Sequence, residues 1–540
     1  MIRWAEGVVV EERVVTGGRI SAESFLEREQ RESAKGTPEK MVVGPALPPS
    51  VLEARRNLHF FIRTSHIFLS YKAFQAQSGI YARITGAGSD TVDSWWSRQH
   101  DWGGRQLYSM ACDMKGFHLK GAQWLGTRPD IAPKEWVTHL SKLQDRCPEM
   151  PLSQVCSIVE AELGGDMDSL FASFDAKPIG SASIAQVHRA RLRCGGWLRW
   201  ARASRPVAIK VQRPGTEARM LGDLKDLRAF FSVGFVRKGL AWEPSVILDQ
   251  VEEETRMEFD FEFEARTMDS ARRVVQGGGL RIRAPPVAIP RSVSGMVTPR
   301  VLTMELLPGE PLSRLEAASD LSDKQRARVG RSMLGALGAT FGRMLFDDGL
   351  GLVHADPHPG NILLAPRRLP RPSLNVGLID WGQSRVYDLP TRLRLAALVE
   401  ALCAAGDADG RATSPKILRC FEDLGVTWKS ELPIEAQRAA IAASATEMFD
   451  TVPIPPPFSG DPTSPNYALA ALELTAFPTD LVYFFRATQI LRALTEHTGA
   501  DWSLAHEWRP HARRLLRRKG RNPKNWVMTE TTTVLPGKSR

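Results

Sequence analysis

The chain has 540 residues, of which 43% are hydrophobic and 24% are charged, a composition typical of a globular protein with room for two or three domains. The formal net charge of +10 favours anionic partners, but the aromatic residues are not interleaved with the basic ones as a single-strand binder requires, so no nucleic acid is expected. No apolar run of about eighteen residues predicts a membrane-spanning helix, and residues 477–494 read as a buried amphipathic helix because Asp480, Arg486 and Arg492 interrupt them.

The first 165 residues carry no recognisable catalytic pattern. Residues 1–50 are polar, with glycine and proline, and are predicted to be mobile. Glu6, Glu11 and Glu12 are unlike an organelle presequence, and no apolar stretch indicates a secretory signal. Residues 51–165 are predicted to form a helical extension, because apolar side chains recur at helical spacing between Trp96 and Phe117.

Residues 166–310 alternate strands with a helix and are predicted to form a small lobe that begins a nucleotide site. Residues 180–187 have the spacing G-x-G-x-x-G-x-V, with alanine at the second and third glycine positions. A bare backbone can approach phosphates closely, and alanine restricts that approach. The predicted nucleotide contacts in this loop are Gly180, Ser181, Ala182, Ser183 and Val187. Residues 207–210 then read as a strand of the V-A-I-K type, in which Lys210 holds the α- and β-phosphates.

Two further segments of the small lobe continue the order found in kinases. Glu264, within Phe-Glu-Phe-Glu-Ala, is a candidate to pair with Lys210. Residues 301–309 read as a strand that runs into a turn, which in a kinase is the hinge that receives adenine on its backbone. The side chains and backbone predicted to contact the base belong to Ala208, Met304, Glu305 and Leu307.

Residues 311–510 are predicted to be a largely helical large lobe with two catalytic motifs. His354, Asp356 and Asn361 have the form H-x-D-x-x-x-x-N of a kinase catalytic loop, and Asp380-Trp-Gly follows an apolar strand in the place of D-F-G. Asp356 is predicted to accept a proton or orient a nucleophile, and Asn361 and Asp380 to hold Mg²⁺. Residues 511–540 are a basic tail, more typical of a solvated helix end than of lipid recognition.

Each of these matches alone has an ordinary structural explanation. A lone Val-Ala-Ile-Lys is typical of an edge strand with a solvated lysine, a lone Gly-Ser-Ala-Ser of a loop, and a lone glutamate of a solvated helix face. Five matches in kinase order make chance agreement a poor competitor. The predicted cofactors are therefore ATP and Mg²⁺.

The chain also resembles the UbiB family of atypical kinase-like proteins, also called aarF-domain-containing kinases. The resemblance rests on the alanine-rich loop of residues 178–190, on residues 207–210 and on residues 354–361. Two further matches are Lys120-Gly-Ala-Gln123, similar to the family's K-x-G-Q motif, and Glu258-Phe-Asp260, similar to its E-x-D motif. The sequence departs from the family at Ala122, usually glycine, and at Gly180, alanine in many members.

The resemblance implies an α+β, bilobal protein-kinase-like fold whose N-terminal helical extension packs over the active site. Lys120 and Gln123 would then meet Glu258 and Asp260 as a regulatory lid that excludes large substrates. The residues themselves agree with that, because no A-P-E motif and no long peptide-binding segment follow Asp380.

The implied activity is that of an ATPase or of a small-molecule or lipid kinase that supports isoprenoid-quinone or prenyl-lipid metabolism. The implied partners are a prenyl lipid or quinone precursor and a peripheral membrane surface, and the implied location is a mitochondrion or plastid. The alternative is a non-catalytic, nucleotide-gated scaffold that binds lipid within a biosynthetic complex. The intact set of Asp356, Asn361 and Asp380 favours the enzyme, and a conventional protein kinase is the least favoured reading.

Overall fold

The structure is a computed structural model with side chains. It describes residues 49–86, 89–114, 116–126, 132–143, 149–193, 205–232, 244–276, 287–318, 321–347, 350–367, 373–406, 408–429, 433–454, 473–476 and 478–519. Nearly all of the segment predicted to be mobile, and the tail beyond residue 519, lie outside these residues. The structure divides into two compact units, Met1–Arg55 and Arg56–Arg540, and the second contains every contact discussed below.

The extension begins with four helices, α1 Pro49–Thr85, α2 Ser89–Met114, α3 Gly116–Leu125 and α4 Lys134–Leu140. Phe60 of α1 is buried against Met110 and Met114 of α2, in a cluster that also includes Phe230. Aromatic and methionine side chains at this spacing therefore form packing contacts. This part of the extension is a helical layer joined to the small lobe through Phe230.

A buried carboxylate of the small lobe fixes the start of α3. Asp223 lies on α7 (Thr216–Ser232), and its Oδ2 accepts the Phe117 N–H at 3.1 Å. Arg56 of α1 pairs with the same oxygen at 2.8 Å. Gly116 has a φ of +56°, and a Cβ there would lie 2.8 Å from the Asp223 Oδ2, so glycine is required on both counts. Asp223 thereby sets the direction in which α3, which carries Lys120, leaves α2.

The small lobe is built on a six-stranded antiparallel sheet. Its strands are β1 Phe171–Phe174, β2 Gly180–Ser181, β3 Ala185–Leu192, β4 Pro206–Gln212, β6 Ser292–Val297 and β7 Val301–Glu305, with β5 Val287–Ala288 in another sheet. The order is β1-β3-β4-β7-β6, and β2 pairs with β3. Helices α5 Leu152–Leu163 and α6 Met167–Leu170 precede β1. The central strand β4 is buried on both faces.

The two-residue period of β4 sorts its side chains between two cores. Val207, Ile209 and Val211 pack in one cluster with Val155 and Phe171. The alternate residues Ala208 and Lys210 therefore point to the opposite face. The register places Ala208 opposite Met304, and Lys210 opposite both Val187 and Leu302, so these residues share that face. The sequence pattern alone thus fixes which side of the sheet receives Lys210.

Helix α9 Phe261–Gln276 packs on this face, and α8 Pro244–Glu258 precedes it in the chain. Phe261, Ala265 and Met268 are buried at helical spacing, and Glu264 lies on the same buried side of α9. Asp260 is the residue before α9, and its Oδ1 accepts the Phe263 N–H at 2.7 Å. A carboxylate in this position stabilises the helix as an N-cap.

The large lobe is mainly helical around a small sheet of order β5-β11-β10-β8. Its strands are β8 Glu310–Pro311, β9 Leu352–His354, β10 Ile362–Arg367, β11 Ser373–Leu378, β12 Ser384–Val386, β13 Thr427–Lys429 and β14 Glu473–Ala476. Its helices are α10 Leu312–Ala318, α11 Asp323–Gly342, α12 Leu389–Ala405, α13 Ala408–Thr413, α14 Pro415–Asp423, α15 Ile434–Phe449, α16 Thr479–Thr498 and α17 Leu504–Lys519. A π-helical turn, Arg343–Asp347, follows α11. The predicted α+β, bilobal architecture is confirmed, and none of the described helices is long and apolar enough to cross a bilayer.

Candidate active site

The lysine of the V-A-I-K strand contacts two carboxylates at the junction of the lobes. Lys210 donates to Glu264 of α9 at 2.8 and 3.0 Å, and to Asp380 Oδ1 at 3.3 Å. Asp380 follows β11 and has a φ of 60°, a left-handed conformation that no other non-glycine residue among the described ranges adopts. The conformation is typical of strained, functional positions, and it leaves the Asp380 side chain 45% exposed beside a buried lysine.

The charges of this group are strongly coupled by burial. Burial disfavours the Lys210 ammonium, but the carboxylates of Asp380 and Glu264 outweigh it and raise the Lys210 pKa above its usual value. Burial also raises the pKa of Glu264, against the attraction of Lys210 and with the help of the nearby Asp380. Two carboxylates therefore share one ammonium, an arrangement that additional positive charge would stabilise.

The predicted catalytic loop is held by hydrogen bonds to its own backbone. The Asp356 N–H donates to His354 Nδ1 at 3.2 Å, so the other ring nitrogen carries the proton and faces the Ile379 carbonyl at 3.3 Å. Burial lowers the pKa of His354, which keeps the ring neutral. The Asn361 amide nitrogen donates to the Asp356 carbonyl at 3.0 Å and leaves the amide oxygen for another partner. His354 thus links the strand before Asp380 to Asp356.

An arginine from α16 contacts the predicted catalytic carboxylate. Arg486 donates to Asp356 Oδ1 at 3.0 Å and to Glu254 Oε2 at 3.4 Å. Arg486 and Glu254 are buried, and the Asp356 side chain is 17% exposed. Burial opposes ionisation of Asp356, but Arg486, with smaller contributions from His358 and Lys120, holds its pKa well below its usual range. Asp356 is therefore a carboxylate at any physiological pH.

An ion pair joins helix α3 of the extension to helix α8 of the small lobe. Lys120 Nζ lies 2.6 Å from Glu258 Oε1, and the same oxygen accepts the side-chain amide of Gln383. Burial lowers the Lys120 pKa less than Glu258 raises it, so the ammonium persists. Asp260 does not join this network, because it is exposed and caps α9. Gln123 follows on the same helix, and its side chain lies outside the described residues.

The nucleotide loop is a tight hairpin clamped by an arginine. The Ala182 N–H donates to the Ala185 carbonyl at 2.8 Å, with Ser183 at the tip. Arg213 donates to the Ser181 hydroxyl at 2.7 Å and to the Ala182 carbonyl at 2.9 Å. Arg213, the residue that follows β4, thus holds the loop in place. These hydrogen bonds restrict the approach of the loop to phosphates, in addition to the restriction that alanine at the glycine positions imposes.

Gly180→Ala is expected to leave the fold intact and to raise the free energy of unfolding by about 0.5 kcal/mol. A Cβ at Gly180 would meet no atom within 4 Å, and its φ is not positive. Urea denaturation measures the change. The control is Gly309→Ala, because Gly309 has a φ of +121° and a Cβ there would lie 2.9 Å from the Leu364 carbonyl oxygen. Equal effects at the two positions would contradict the backbone argument.

The predicted hinge lies at the end of β7. The Glu305 N–H donates to the Arg291 carbonyl at 2.8 Å, and its carboxylate pairs with Arg272 at 2.9 Å. The Glu305 side chain therefore faces away from the nucleotide face that Met304 shares with Ala208. Leu307 is buried in the turn that follows, and its N–H has no backbone acceptor among the described residues.

The structure thus brings most predicted residues into two adjoining groups. One group lies around Lys210 and contains Val187, Ala208, Glu264, Met304, Asn361 and Asp380. The other lies around Arg486 and contains Lys120, Glu258 and Asp356. Sequence reasoning missed Arg213, Gln383 and Arg486. The signal for Arg486 was present, because a charged residue inside a helix that reads as buried requires carboxylate partners. Arg213 and Gln383 belong to no motif that spacing would reveal.

The fold and this site define an atypical kinase-like protein. The family model of the ABC1 atypical kinase-like domain matches residues 142–413, which is half of the chain, and the chain belongs to this family, the UbiB or aarF family.

Named relatives agree with that assignment. The chain is 30% identical over 323 residues to AarF domain-containing protein kinase 1 of Xenopus tropicalis, with 59% of this chain and 56% of the relative covered. It is 28% identical over 429 residues to Protein ACTIVITY OF BC1 COMPLEX KINASE 8, chloroplastic, of Arabidopsis thaliana, with 74% and 52% covered. The chain therefore spans about half the length of these curated relatives. A solved complex of Rv3197 with erythromycin from Mycobacterium tuberculosis is 22% identical and covers 76% of this chain and 98% of its own, but its TM-score of 0.41 is too low to inform function.

Proposed function

We propose that the protein binds Mg-ATP and transfers the γ-phosphoryl group to water or to a small or lipid acceptor. The observation that carries this proposal is the assembled Lys210–Glu264 pair beside Asp380, with bonds of 2.8 and 3.3 Å from one ammonium. Kinases use such a pair to hold the phosphates and such a carboxylate to hold metal. Two carboxylates share one ammonium, so one negative charge remains to be balanced. A bound Mg²⁺ would supply the missing positive charge.

The residues have distinct roles in this proposal. Lys210 would hold the phosphates, Leu307 would bind adenine through its backbone, and Asp380 with the Asn361 amide oxygen would hold Mg²⁺, ligands of the kind that this ion prefers. Magnesium supplies charge neutralisation on the phosphates when bound. The acceptor oxygen would bond to the γ-phosphorus as the bond to the β-phosphate oxygen breaks, and its proton would pass to Asp356.

Two ion pairs close the region around Asp356, here called the acceptor side, and this favours a small acceptor. Lys120 and Glu258 join the extension to the small lobe at 2.6 Å, next to the Asp356–Arg486 pair. A peptide would have to displace both pairs. Among small acceptors, the family resemblance favours prenyl lipids and quinone precursors, and the chloroplastic name of one relative supports a plastid location.

A second candidate function has its own observation. Arg486 donates to Asp356 Oδ1 at 3.0 Å, so in this conformation one oxygen of the carboxylate is already engaged. A nucleotide-gated, lipid-binding scaffold would keep that contact permanently. Such a protein would bind Mg-ATP without turning it over.

The test is phosphate release by the purified full-length chain with Mg-ATP, with and without vesicles, prenylated phenols and a generic protein substrate. We expect release that needs Mg²⁺ and rises with the phenols or vesicles. Nucleotide binding without release under every condition would favour the scaffold. Faster transfer to the protein substrate than to any small acceptor would overturn the proposed acceptor class.

Lys120→Ala is expected to retain nucleotide binding and to gain phosphate on the chain itself, because loss of the ion pair with Glu258 opens the acceptor side. Intact mass after incubation with Mg-ATP measures the gain. Lys120→Arg keeps the charge and serves as the control. If Lys120→Ala no longer binds nucleotide, Lys120 belongs to the catalytic set and does not act as a lid.

A further inference from the structure

Helix α1 exposes an apolar face that packs against nothing in the described structure. Eight large hydrophobic side chains in the described ranges are strongly exposed, and six of them lie on this helix. The face formed by Leu58, Ile62, Leu69, Ile80 and Ile84, here called the α1 outer face, has exposures between 54% and 76%. Phe60 and Ile67, on the opposite side, are buried. The helix is therefore apolar on two sides, and only one of them is used by the fold.

The spacing of the outer face follows a straight helix. Leu58, Leu69 and Ile80 are spaced by eleven residues, as are Ile62, Ala73 and Ile84. Eleven residues in three turns give about 3.67 residues per turn, close to the 3.6 of an unstrained α-helix. The face therefore runs along one side for about 39 Å with little winding. A heptad seam, which would favour a left-handed coiled-coil partner, does not occur along it.

The charges beside the outer face are all of one sign. From Arg56 to Thr85 the helix carries no acidic residue, and of its four basic residues Arg56 and Arg63 pair with Asp223 and Asp113 away from the outer face. At 100° per residue, Lys72 and Arg83 flank one edge of the face, and the exposed side chains of His59 and His66 flank the other. A straight apolar stripe with basic edges is the pattern of a helix that lies in the interface of an anionic membrane.

We propose that the α1 outer face docks the protein on an anionic lipid bilayer, with the apolar side chains at the boundary between headgroups and acyl chains. Lys72 and Arg83 would contact the lipid phosphates. The docking proposal extends the proposed activity toward prenyl lipids, because it assigns the surface through which the protein would reach such acceptors. The docking itself needs no nucleotide, so its test is independent of catalysis.

The experiment is flotation of the full-length protein, without nucleotide, on phosphatidylcholine vesicles with and without phosphatidylglycerol. The triple variant Ile62→Gln/Leu69→Gln/Ile80→Gln is expected to lose roughly a hundredfold in binding to the anionic vesicles, from three lost apolar contacts. The matched control is Ile434→Gln, because Ile434 is also exposed, at 57%, but lies on α15. It should bind as the wild type does.

A second variant keeps the test open should the triple variant unfold. Lys72→Gln/Arg83→Gln should bind anionic vesicles about tenfold more weakly, with unchanged thermal stability. Wild-type binding that neither variant weakens would overturn the proposal, as would no binding by the wild type. A wild-type dimer that the triple variant converts to a monomer would also overturn it, because the face would then be an interface between copies.

Discussion

Asp380→Asn is expected to abolish the thermal stabilisation by Mg-ATP and to lower turnover about a thousandfold, with the fold intact. Asparagine tolerates the left-handed φ of 60° that Asp380 adopts, so the backbone need not change. The substitution also removes one of the two carboxylates that share Lys210, which lowers the pKa of Glu264. Thermal-shift titration with Mg-ATP, and separately with ATP in EDTA, measures the loss.

The matched control for that substitution is Asp260→Asn, the same chemical change on a carboxylate of the E-x-D motif. Asp260 caps α9, and asparagine caps helices equally well. The substitution also removes an exposed ion pair with Arg266, at 3.8 Å, of a kind that contributes little to stability. Its stability and its response to Mg-ATP should match those of the wild type. Equal stabilisation of wild type and Asp380→Asn by Mg-ATP would remove Asp380 from the metal site.

Arg486→Met is expected to cost about 3–5 kcal/mol of stability at pH 7, because it removes the guanidinium that pairs with the buried Glu254 and the largely buried Asp356. Asp356 and Glu254 both pair with this guanidinium. A carboxyl whose folded pKa is depressed contributes stability above its unfolded pKa of about 3.9 and loses it as pH falls through the folded value. The variant's deficit should therefore narrow below about pH 4, as denaturation across pH measures.

A readout beyond stability separates Arg486 from an ordinary structural residue. Without the arginine the pKa of Asp356 rises, so the acidic limb of the pH–turnover profile should move to higher pH. Arg492→Met is the control, since Arg492 is buried on the same helix and donates to the Asp450 and Val452 carbonyls. It should lower stability without moving that limb. If both variants move the limb alike, Arg486 does not act through Asp356.

The sequence was sufficient for the parts of the site that lie within one element or follow a period. The alternation of side chains in β4 puts Lys210 and Val207 on opposite faces of the sheet. The helical spacing of α9 puts Glu264 on a buried face. Contacts between distant elements were harder. The pairing of Glu258, and not Asp260, with Lys120 depends on where α8 ends, and Asp260 was assigned to the lid although it caps the next helix.

Nothing in the local sequence identifies the partners of several other side chains. The contact of Arg486 with Asp356 joins residues 130 positions apart, and only the whole fold brings them together. Arg213 contacts the nucleotide loop, and Asp223 accepts a hydrogen bond from the start of α3. Both contacts depend on the direction that the chain takes after a strand or helix ends. Periodicity describes which face is buried, but it does not say which polar group on that face meets another.

The proposed phosphoryl transfer is tested most directly by phosphate release from full-length Asp356→Asn beside the wild type, with Mg-ATP binding measured on the same samples. We expect that the wild type releases phosphate only with Mg²⁺, and that the variant binds Mg-ATP with similar affinity but releases phosphate at least about a hundredfold more slowly. Turnover by Asp356→Asn at the wild-type rate would contradict it, as would a wild type that binds Mg-ATP and releases no phosphate with any acceptor or vesicle.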